Sequence, residues 1–407
     1  MVRRVHPGNT TPSRSIGTGR ETRIWIDVDH DVLAANVDRL RARLPQGARL
    51  IAVVKGDAYG HSLVDVARTV LASGVDTLAV ANVEEGARLR AAGIQATTHL
   101  IGPSLPHEIP ELLEHRLVPA LAEEGFAIDL DRAAQRHPHC GPLGRGRDGP
   151  FPVQIEVDSG LRRHGIDADH ARALVTRVRQ LPALRLTGVY THFAAITPDH
   201  EALAQGQAEV FADVLRTLRE DGLDAEIHAC NTLSSTLVPD AWFDAMRIGG
   251  GLHGLGATAR RLGLEPTLTL RTRVALVRQV RAGDRVGYGG THVCATDTTL
   301  AVLPCGYADG LSRTTWTGRE VLIQGRRARI VGLVSMNQMI VDVGALPEPV
   351  WPGDEVVLLG PQGDERVRAE EQVPVGGSSY EVTTLLSAAI PRCHHAASRR
   401  PAGRHRD

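Results

Sequence analysis

The chain has almost no lysine. Its 407 residues contain 46 lysines and arginines together, of which one, Lys55, is a lysine, so 46 − 1 = 45 are arginines. Arginine stays charged at any working pH and is a poor nucleophile, whereas a lysine amine can lose its proton and form a Schiff base with a carbonyl group. Chemistry that needs a side-chain amine therefore has a single candidate. Composition alone is equally compatible with a surface lysine that remains by accident, and the neighbouring residues must decide.

An excess of charge, cysteine pairs and long apolar runs are also missing. The net charge of −1 provides no field for nucleic acid or an acidic membrane, and no apolar run is long enough to span a bilayer. Residues 1–22 lack the apolar core of a secretory signal. The five cysteines are odd in number and none has CxxC spacing, which argues against a disulfide framework or a zinc site. We expect a cytoplasmic protein with neither nucleic acid nor membrane as a partner.

Short β-branched runs alternate with helical patterns over much of the chain. After a disordered tail at 1–22, strands are predicted at 50–54, 77–81, 99–101, 117–121, 153–157, 186–191, 226–229 and 245–248. Helical patterns such as 63–72, 84–92 and 202–220 lie between them. These alternations predict an α/β fold with a (β/α)8 barrel in residues 23–262. An open doubly wound sheet is the alternative, although no G-x-G-x-x-G segment follows the first strand.

From residue 263 the pattern changes to strands separated by Gly, Asp and Pro. Strands are predicted at 274–280, 298–303, 320–323, 328–333, 339–343 and 354–359. Residues 263–392 therefore form a mostly β C-terminal domain in this interpretation. The first strand, in residues 23–30, could belong to the barrel or join this β domain. Residues 393–407, rich in Arg and His, are predicted to be a second disordered tail, and 137–150 a flexible insertion in the barrel.

Lys55 lies at the carboxyl end of a predicted barrel strand, in the segment VVKGDAYGH at 53–61. Functional groups gather at this end of such barrels. An amine on a rigid strand end suits a carbonyl cofactor, because burial lowers its pKa toward the range in which it is nucleophilic. A surface lysine is less consistent with a sequence that fills such positions with arginine. We therefore interpret Lys55 as functional.

This segment resembles the cofactor-lysine motif of the alanine racemases, pyridoxal phosphate enzymes built from an α/β barrel and a β domain, although that family usually has Ala at the position of Gly56. Further segments match the family's motifs in order: DSGLRR (158–163), YTHFA (190–194), HACNT (228–232), RIGGG (247–251), GYGGT (287–291), GYADG (306–310), MNQ (336–338) and YEV (380–382). Each motif alone is weak, but the ordered set is specific. The resemblance covers about residues 23–392 and includes all five tyrosines.

The resemblance implies an isomerase that interconverts L- and D-alanine with pyridoxal 5'-phosphate bound to Lys55. That cofactor supplies an electron sink at the substrate α-carbon, and racemization needs one base on each face of this carbon. By resemblance, Lys55 serves one face, and Tyr288, reaching in from the partner subunit, serves the other. The active unit is then a homodimer with shared active sites. Taken alone, Tyr288 would be interpreted as a buried tyrosine of the β domain.

The same resemblance implies further residues around the cofactor. Arg247 is always charged and only donates, so it should leave the pyridine nitrogen unprotonated, whereas a carboxylate would keep it protonated. A free phenol has a pKa of about 10, so a tyrosine base needs positive neighbours, and His192 and Arg247 are implied in that role. Phosphate recognition needs backbone N–H groups and hydroxyls. The residues implied at the cofactor also include Tyr59, Arg163, Asn231, Thr232, Gly249, Gly250, Gly251 and Tyr380, and those at the substrate Arg163 and Met336.

Three further positions, which bear on the site, depart from the family pattern. Glu156 occupies the position of a lysine, often carbamylated, that orients an arginine in most of the family. Since this chain has no second lysine, we predict a direct pair between Glu156 and Arg163. Asn337 replaces an aspartate, which predicts tolerance for serine or other small amino acids. His253 replaces a common tyrosine, and the sequence suggests no effect for it.

Other functions remain to be weighed against alanine racemization. One alternative is a racemase of broader specificity, and another is a non-catalytic protein that binds pyridoxal phosphate through a similar barrel. The β domain with Tyr288 and Met336 argues against the second. A related decarboxylase or aldolase is disfavoured, because the sequence has neither the Cys-Glu-Ser segment of the former nor a cluster of metal ligands for the latter.

Overall fold

A computed structural model of the protein describes residues 22–141, 149–373 and 377–396. Two large sheets organise these residues, and each packs on its own hydrophobic core. Most of the predicted initial tail (1–21) falls outside the described residues. So do residues 142–148 of the predicted insertion and 397–407 of the predicted final tail.

The first sheet is a parallel barrel. After β1 (Ile24–Asp29), its strands in chain order are β2 (Arg49–Val53), β3 (Thr77–Val80), β4 (Thr97–Leu100), β5 (Val118–Leu121), β6 (Phe151–Asp158), the short β7 (Ile166–Asp167), β8 (Leu184–Tyr190), β9 (Glu226–His228) and β10 (Ala245–Ile248). Pairing of β5 with β6 and of β10 with β2 closes the ring, and β7 pairs only with β6. Every residue of β3 is buried, as expected of a strand covered on both faces. The predicted (β/α)8 barrel is confirmed.

Helices cover the outside of the barrel, and short helical segments, among them the left-handed Lys55–Gly60, lie elsewhere in the fold. They are α1 (His30–Arg41), α2 (Lys55–Gly60), α3 (Leu63–Ala72), α4 (Val83–Ala91), α5 (Ile109–Glu114), α6 (Glu124–Ala134), α7 (Ala168–Arg179), α8 (Glu201–Glu220), α9 (Ser234–Leu237), α10 (Gly256–Arg261), α11 (Arg313–Trp316) and α12 (Ser379–Thr384). In α1, Leu33, Val37 and Leu40 recur at helical spacing and are buried. The Asp29 side chain caps the start of this helix. No helix in the described part of the chain has the length and apolarity to cross a membrane.

The second sheet is mostly antiparallel, which confirms the predicted β-rich C-terminal part of the fold. The remaining strands are β11 (Leu268–Arg273), β12 (Leu276–Val280), β13 (Arg285–Val286), β14 (His292–Val293), β15 (Thr298–Leu303), β16 (Glu320–Ile323), β17 (Arg326–Ile330), β18 (Met339–Asp342), β19 (Glu355–Gln362), β20 (Glu365–Val367) and β21 (Arg392–His395). Of these, β13 and β14 form a separate hairpin. The first strand of the chain, β1, lies in this sheet between β11 and β21.

The prediction of a disordered tail from residue 393 was wrong for residues 393–395, which belong to β21. The run Arg-Cys-His-His lacks the alternation of apolar residues that indicates a strand, and tertiary contacts hold it instead. The strand β21 pairs in parallel with β1. In addition, His394 Nδ1 lies 2.8 Å from His30 Nε2, and His395 Nε2 lies 2.9 Å from Asp27 Oδ1.

Candidate active site

Lys55 follows β2 after one residue, and the chain then makes a left-handed turn. Gly56, Asp57, Ala58 and Tyr59 have φ between 53° and 65°. For the three non-glycine residues, this conformation costs roughly 1 kcal/mol or more each. Contacts with the surrounding protein must therefore hold the segment that carries Lys55.

Glu85, in the first turn of α4, holds this left-handed turn. Its Oε1 accepts hydrogen bonds from the amides of Gly56 (2.6 Å) and Asp57 (3.2 Å), and its Oε2 accepts from the amide of Ala81 (2.9 Å). The residue is buried, so these charge-assisted bonds are shielded from water. Sequence analysis missed Glu85, because an acidic residue in the first turn of a helix is common and carries no further signal.

The surroundings of Lys55 lower the pKa of its amine. Burial is the main cause, and the positive charges of Arg163 and Arg247 add to it, whereas Glu85 and Glu156 raise the pKa. A lowered pKa leaves more of the amine neutral near pH 7. This is the form that a nucleophile or a base requires.

Arg247 is buried beside this amine on the neighbouring strand β10. Its Nη1 lies 2.6 Å from His228 Nδ1, and its Nη2 lies 3.2 Å from His192 Nδ1. Nη2 also donates to the carbonyl oxygens of Thr191 (2.7 Å) and Ala229 (3.0 Å). In the described part of the chain, no carboxylate forms an ion pair with Arg247. Because a guanidinium only donates, both Nδ1 atoms act as acceptors.

The two imidazoles that contact Arg247 are neutral near pH 7. Burial lowers the pKa of His192 and of His228 well below the usual range, and the charge of Arg247 lowers both further. We expected His192 to be a positive neighbour of a tyrosine base. A neutral His192 leaves that charge to Arg247, which the two histidines help to orient.

The glycine turn after β10 is closed by two phenols. A Cβ on Gly249 would collide with the Tyr59 hydroxyl, and one on Gly250 would collide with the Tyr380 ring. Burial raises the pKa of both phenols, so both hydroxyls keep their protons and can donate. Only glycine allows this close approach.

Thr232 adds a third hydroxyl to the glycine turn. Its Oγ1 accepts from the amide of Gly251 at 3.2 Å, and the residue is buried. Asn231 is adjacent in sequence, but its Oδ1 accepts from the amides of Leu233 and Ser234, both at 3.0 Å. The Asn231 side chain thus stabilises the local turn that presents Thr232.

The C-terminal part of the fold contacts the Lys55 turn directly. Tyr380 lies near the start of α12, and its ring packs edge-on against the Tyr59 ring, with centroids 5.5 Å apart. Gly60 lies so close to the Thr383 carbonyl that a Cβ would collide with it. The candidate site therefore lies between the barrel and α12.

The other predicted residues of the C-terminal domain are exposed. Tyr288 lies in the turn between β13 and β14 and is 68% exposed, while Met336, between β17 and β18, is 55% exposed. Asn337 is exposed as well. Within the described ranges, none of these three side chains forms a hydrogen bond with the Lys55 turn or Arg247. Tyr288 is therefore an exposed phenol and not the buried one that a β domain by itself would suggest.

The predicted pair between Glu156 and Arg163 was wrong. Glu156 Oε2 lies 2.7 Å from His164 Nδ1 and accepts from the Tyr190 hydroxyl at 2.8 Å, and no ion pair joins Glu156 to Arg163 among the described residues. The physical reason is the path of the loop, which returns against Glu156 at Gly165 and brings His164 to the carboxylate. His164 was not among the residues predicted from the sequence.

His253 supports the left-handed turn from the protein interior. Its ring stacks on that of His61, with centroids 4.0 Å apart and planes at 26°, and lies 5.7 Å from the Tyr59 ring. Both histidines are fully buried. The residue that sequence analysis left without a role thus packs beneath the segment that carries Lys55.

The structure therefore gathers a lysine, a buried arginine between neutral histidines, and three hydroxyls at a glycine turn. The sequence-family model of the alanine racemase N-terminal domain matches residues 28–257, and the family model of the C-terminal domain matches residues 267–394. The chain belongs to the alanine racemase family. It is accordingly an isomerase of the racemase class. Alanine racemases from Symbiobacterium thermophilum and Syntrophobacter fumaroxidans are 36% and 34% identical to it, over 90% and 88% of this chain and 96% and 94% of theirs.

Solved alanine racemase structures share the whole fold. The enzyme from Streptomyces lavendulae, described as a D-cycloserine producer, superposes with a TM-score of 0.83 at 31% identity, covering 93% of this chain and 98% of the other. The enzyme from Bacillus anthracis, solved with bound L-Ala-P, superposes with a TM-score of 0.81 at 33% identity, covering 93% and 96%.

Proposed function

We propose that the protein interconverts L- and D-alanine with pyridoxal 5'-phosphate as its cofactor. The observation that carries the proposal is Lys55, the only lysine of the chain, whose pKa is lowered in a site that also holds Arg247. Similar proteins from Symbiobacterium thermophilum and Bacillus anthracis are alanine racemases, and the latter binds L-Ala-P. The five cysteines are odd in number and none has CxxC spacing, which fits a reducing cytoplasm as the proposed location.

The side chains present fit this cofactor. Lys55 offers an amine to its aldehyde, and Arg247, which has no carboxylate partner in the described residues, offers a donor to its ring nitrogen. The glycine turn, bordered by the hydroxyls of Tyr59 and Tyr380, suits a phosphate group. When bound, pyridoxal phosphate withdraws electrons from the substrate α-carbon and makes its hydrogen acidic.

The chain's own residues then bind the substrate and move a proton. Arg163 binds the substrate carboxylate, since a guanidinium matches the geometry of a carboxylate, and Met336 borders the methyl side. The Lys55 Nζ exchanges the α-proton on one face, and the Oη of Tyr288 of the partner subunit exchanges it on the other. Arg247 keeps its proton throughout, so it donates a hydrogen bond and supplies a positive charge but takes no part in the proton transfer.

A shared site requires a homodimer, and exposure of Tyr288 supports this arrangement. A phenol that is 68% exposed in the single chain is available to an adjacent subunit. The interface would be isologous, so two equivalent sites would form, each with Lys55 from one chain and Tyr288 from the other.

The decisive experiment replaces the single lysine. Lys55→Arg keeps the positive charge and removes the amine, so we expect no detectable racemization and no visible absorbance from covalently held pyridoxal phosphate. The control is the double variant Lys55→Arg with Arg219→Lys, which restores one lysine on the exposed face of α8 and should remain inactive. Racemization by either variant, measured by chiral chromatography, would contradict the proposal.

A further inference from the structure

The loop that follows β6 is anchored at both ends. At its start, Asp158 Oδ1 accepts from the amides of Gly160 (2.7 Å) and Arg162 (3.1 Å). At its end, His164 Nδ1 lies 2.7 Å from Glu156 Oε2. Arg163, whose charge acts on Lys55, comes directly before His164. The contact at His164 therefore holds the chain next to a residue of the candidate site.

Gly165 makes the second anchor possible. It has φ of 107°, and a Cβ there would lie 3.2 Å from Glu156 Cγ and 2.8 Å from the amide nitrogen of Asp158. A side chain at this position would therefore push the loop away from β6. Directly afterwards β7 pairs with the end of β6, with Ile166 opposite Val157. The backbone thus passes over Glu156 with His164 placed to reach it.

Glu156 joins this loop to the wall of the barrel. Its side chain is 3% exposed, and its Oε2 also accepts from the Tyr190 hydroxyl at 2.8 Å. The guanidinium carbon of Arg247 lies 4.7 Å from the centre of the Tyr190 ring. Because a carboxylate only accepts, His164 must donate from Nδ1. A hydrogen bond to a buried carboxylate is among the stronger bonds available to a loop.

We propose that His164 is a positioning residue for Arg163. Bonded to Glu156, it holds the end of the loop and thereby fixes where the Arg163 guanidinium can bind a substrate carboxylate. The inference rests on the proposed racemase function and adds a residue to it. Every α-amino acid carries this carboxylate, so the anchor acts on substrate binding in general and not on the choice between side chains.

Two substitutions of His164 test the anchor. His164→Leu removes the donor, and we expect it to raise KM for alanine and to lower kcat/KM by roughly 10- to 100-fold, because a small displacement of a binding group is costly. His164→Gln keeps an N–H donor and should recover most of this loss. His170→Leu, at an exposed position of α7, is the matched control and should behave like the unsubstituted protein.

A second readout does not depend on racemization. In the cofactor-free protein, His164→Leu should accelerate amide hydrogen exchange in residues 160–166, and His170→Leu should not. If the unsubstituted protein fails to racemize alanine, the proposed function is wrong while this exchange still tests the anchor. Unchanged exchange and unchanged KM in His164→Leu would overturn the proposal.

A double-variant comparison identifies the bond itself. Glu156→Leu combined with His164→Leu should be no more impaired than Glu156→Leu alone, since both substitutions remove one interaction. Losses that multiply, or a His164→Gln variant as impaired as His164→Leu, would contradict the assignment. If His164→Leu does not fold, the exchange measurement is made on His164→Gln and Glu156→Leu instead. Exchange that is faster in Glu156→Leu but not in His164→Gln supports the anchor, and equal rates in the two variants overturn it.

Discussion

Five histidines of the barrel, four of them buried and His192 partly buried, are held neutral. Burial lowers the pKa of His61 to about 4 and that of His99 to about 3, and it lowers the pKa values of His192, His228 and His253 well below the usual range. In the unfolded chain each pKa returns to about 6.5. Below that pH the unfolded state binds more protons than the folded state. The contribution of these neutral histidines to the free energy of unfolding is therefore fully present above pH of about 6.5, and it is lost as the pH drops toward the pKa values of the folded state.

This loss of stability in acid can be measured. Each such histidine should contribute about 1.4 kcal/mol per pH unit to the slope of the unfolding free energy between pH of about 5.5 and 4.5. His99→Gln cannot titrate in this range and should reduce the slope by that amount, whereas the exposed control His170→Gln should leave it unchanged. Urea titrations at several pH values measure the slope. Equal slopes for His99→Gln and the unsubstituted protein would mean that His99 is protonated when folded.

At the scale of single residues, sequence could identify groups whose type is rare or whose motif is local. Lys55 stands out by composition, and Arg247 stands beside a glycine turn. Glu85 and His164 could not be found in this way, because each acts through a partner that only the folded chain supplies. Glu85 contacts an amide 29 residues away, and His164 meets Glu156 through a loop that reverses at Gly165.

The glycine turn at Gly249–Gly251 and the left-handed turn that carries Tyr59 meet with no space for a side chain at Gly249. Gly249→Ala must displace the Tyr59 hydroxyl, and overpacking of this kind costs about 1–3 kcal/mol. We expect the Kd for pyridoxal phosphate to rise by roughly tenfold or more. Titration of the cofactor-free protein by absorbance measures this change.

The matched control is another glycine-to-alanine substitution in a helix. Gly206 lies in α8 with no atom within 4 Å of an added Cβ. Gly206→Ala should leave the Kd unchanged and stabilise the protein by up to about 1 kcal/mol. If Gly249→Ala binds the cofactor as tightly as Gly206→Ala does, the turn is not part of the binding site.

At the scale of elements, β-branched runs predicted strands well where a strand pairs with the same neighbouring strands along its whole length. The predicted segments 298–303 and 320–323 coincide with β15 and β16. The strand predicted at 274–280 corresponds to β12, which begins two residues later, but the preceding strand β11 was not predicted, and the chain changes partners between the two. Val274 donates to Asp354 and Ala275 to Val302, so β11 ends and β12 begins within one extended run. Periodicity cannot register such an exchange.

For the whole molecule, a site shared between subunits should allow inactive chains to complement each other. Lys55→Arg and Tyr288→Phe homodimers should each be inactive. After dissociation and random reassociation of an equal mixture, half of the dimers are hybrids, and each hybrid has one intact site. We therefore expect roughly a quarter of the unsubstituted activity. Racemization assays before and after mixing measure the recovery.

The control for this mixture pairs Lys55→Arg with a chain that carries both substitutions. No hybrid of these two chains contains an intact site, so mixing should restore nothing. If hybrids of Lys55→Arg and Tyr288→Phe form, as native mass spectrometry can establish, and remain inactive, then Tyr288 does not act across the subunits.

Because the chain has one lysine in 407 residues, chemical labelling of that lysine can be used to count the molecules whose site is empty. A reagent that acylates amines meets no other lysine, and Lys55 is half-buried in the site proposed for the cofactor. A chain whose site is filled should therefore escape labelling at this side chain, and an empty one should gain one adduct more than a filled one, since the N-terminal amine reacts in both. The intact mass of a preparation would then report its fraction of empty sites, molecule by molecule, with no substrate added.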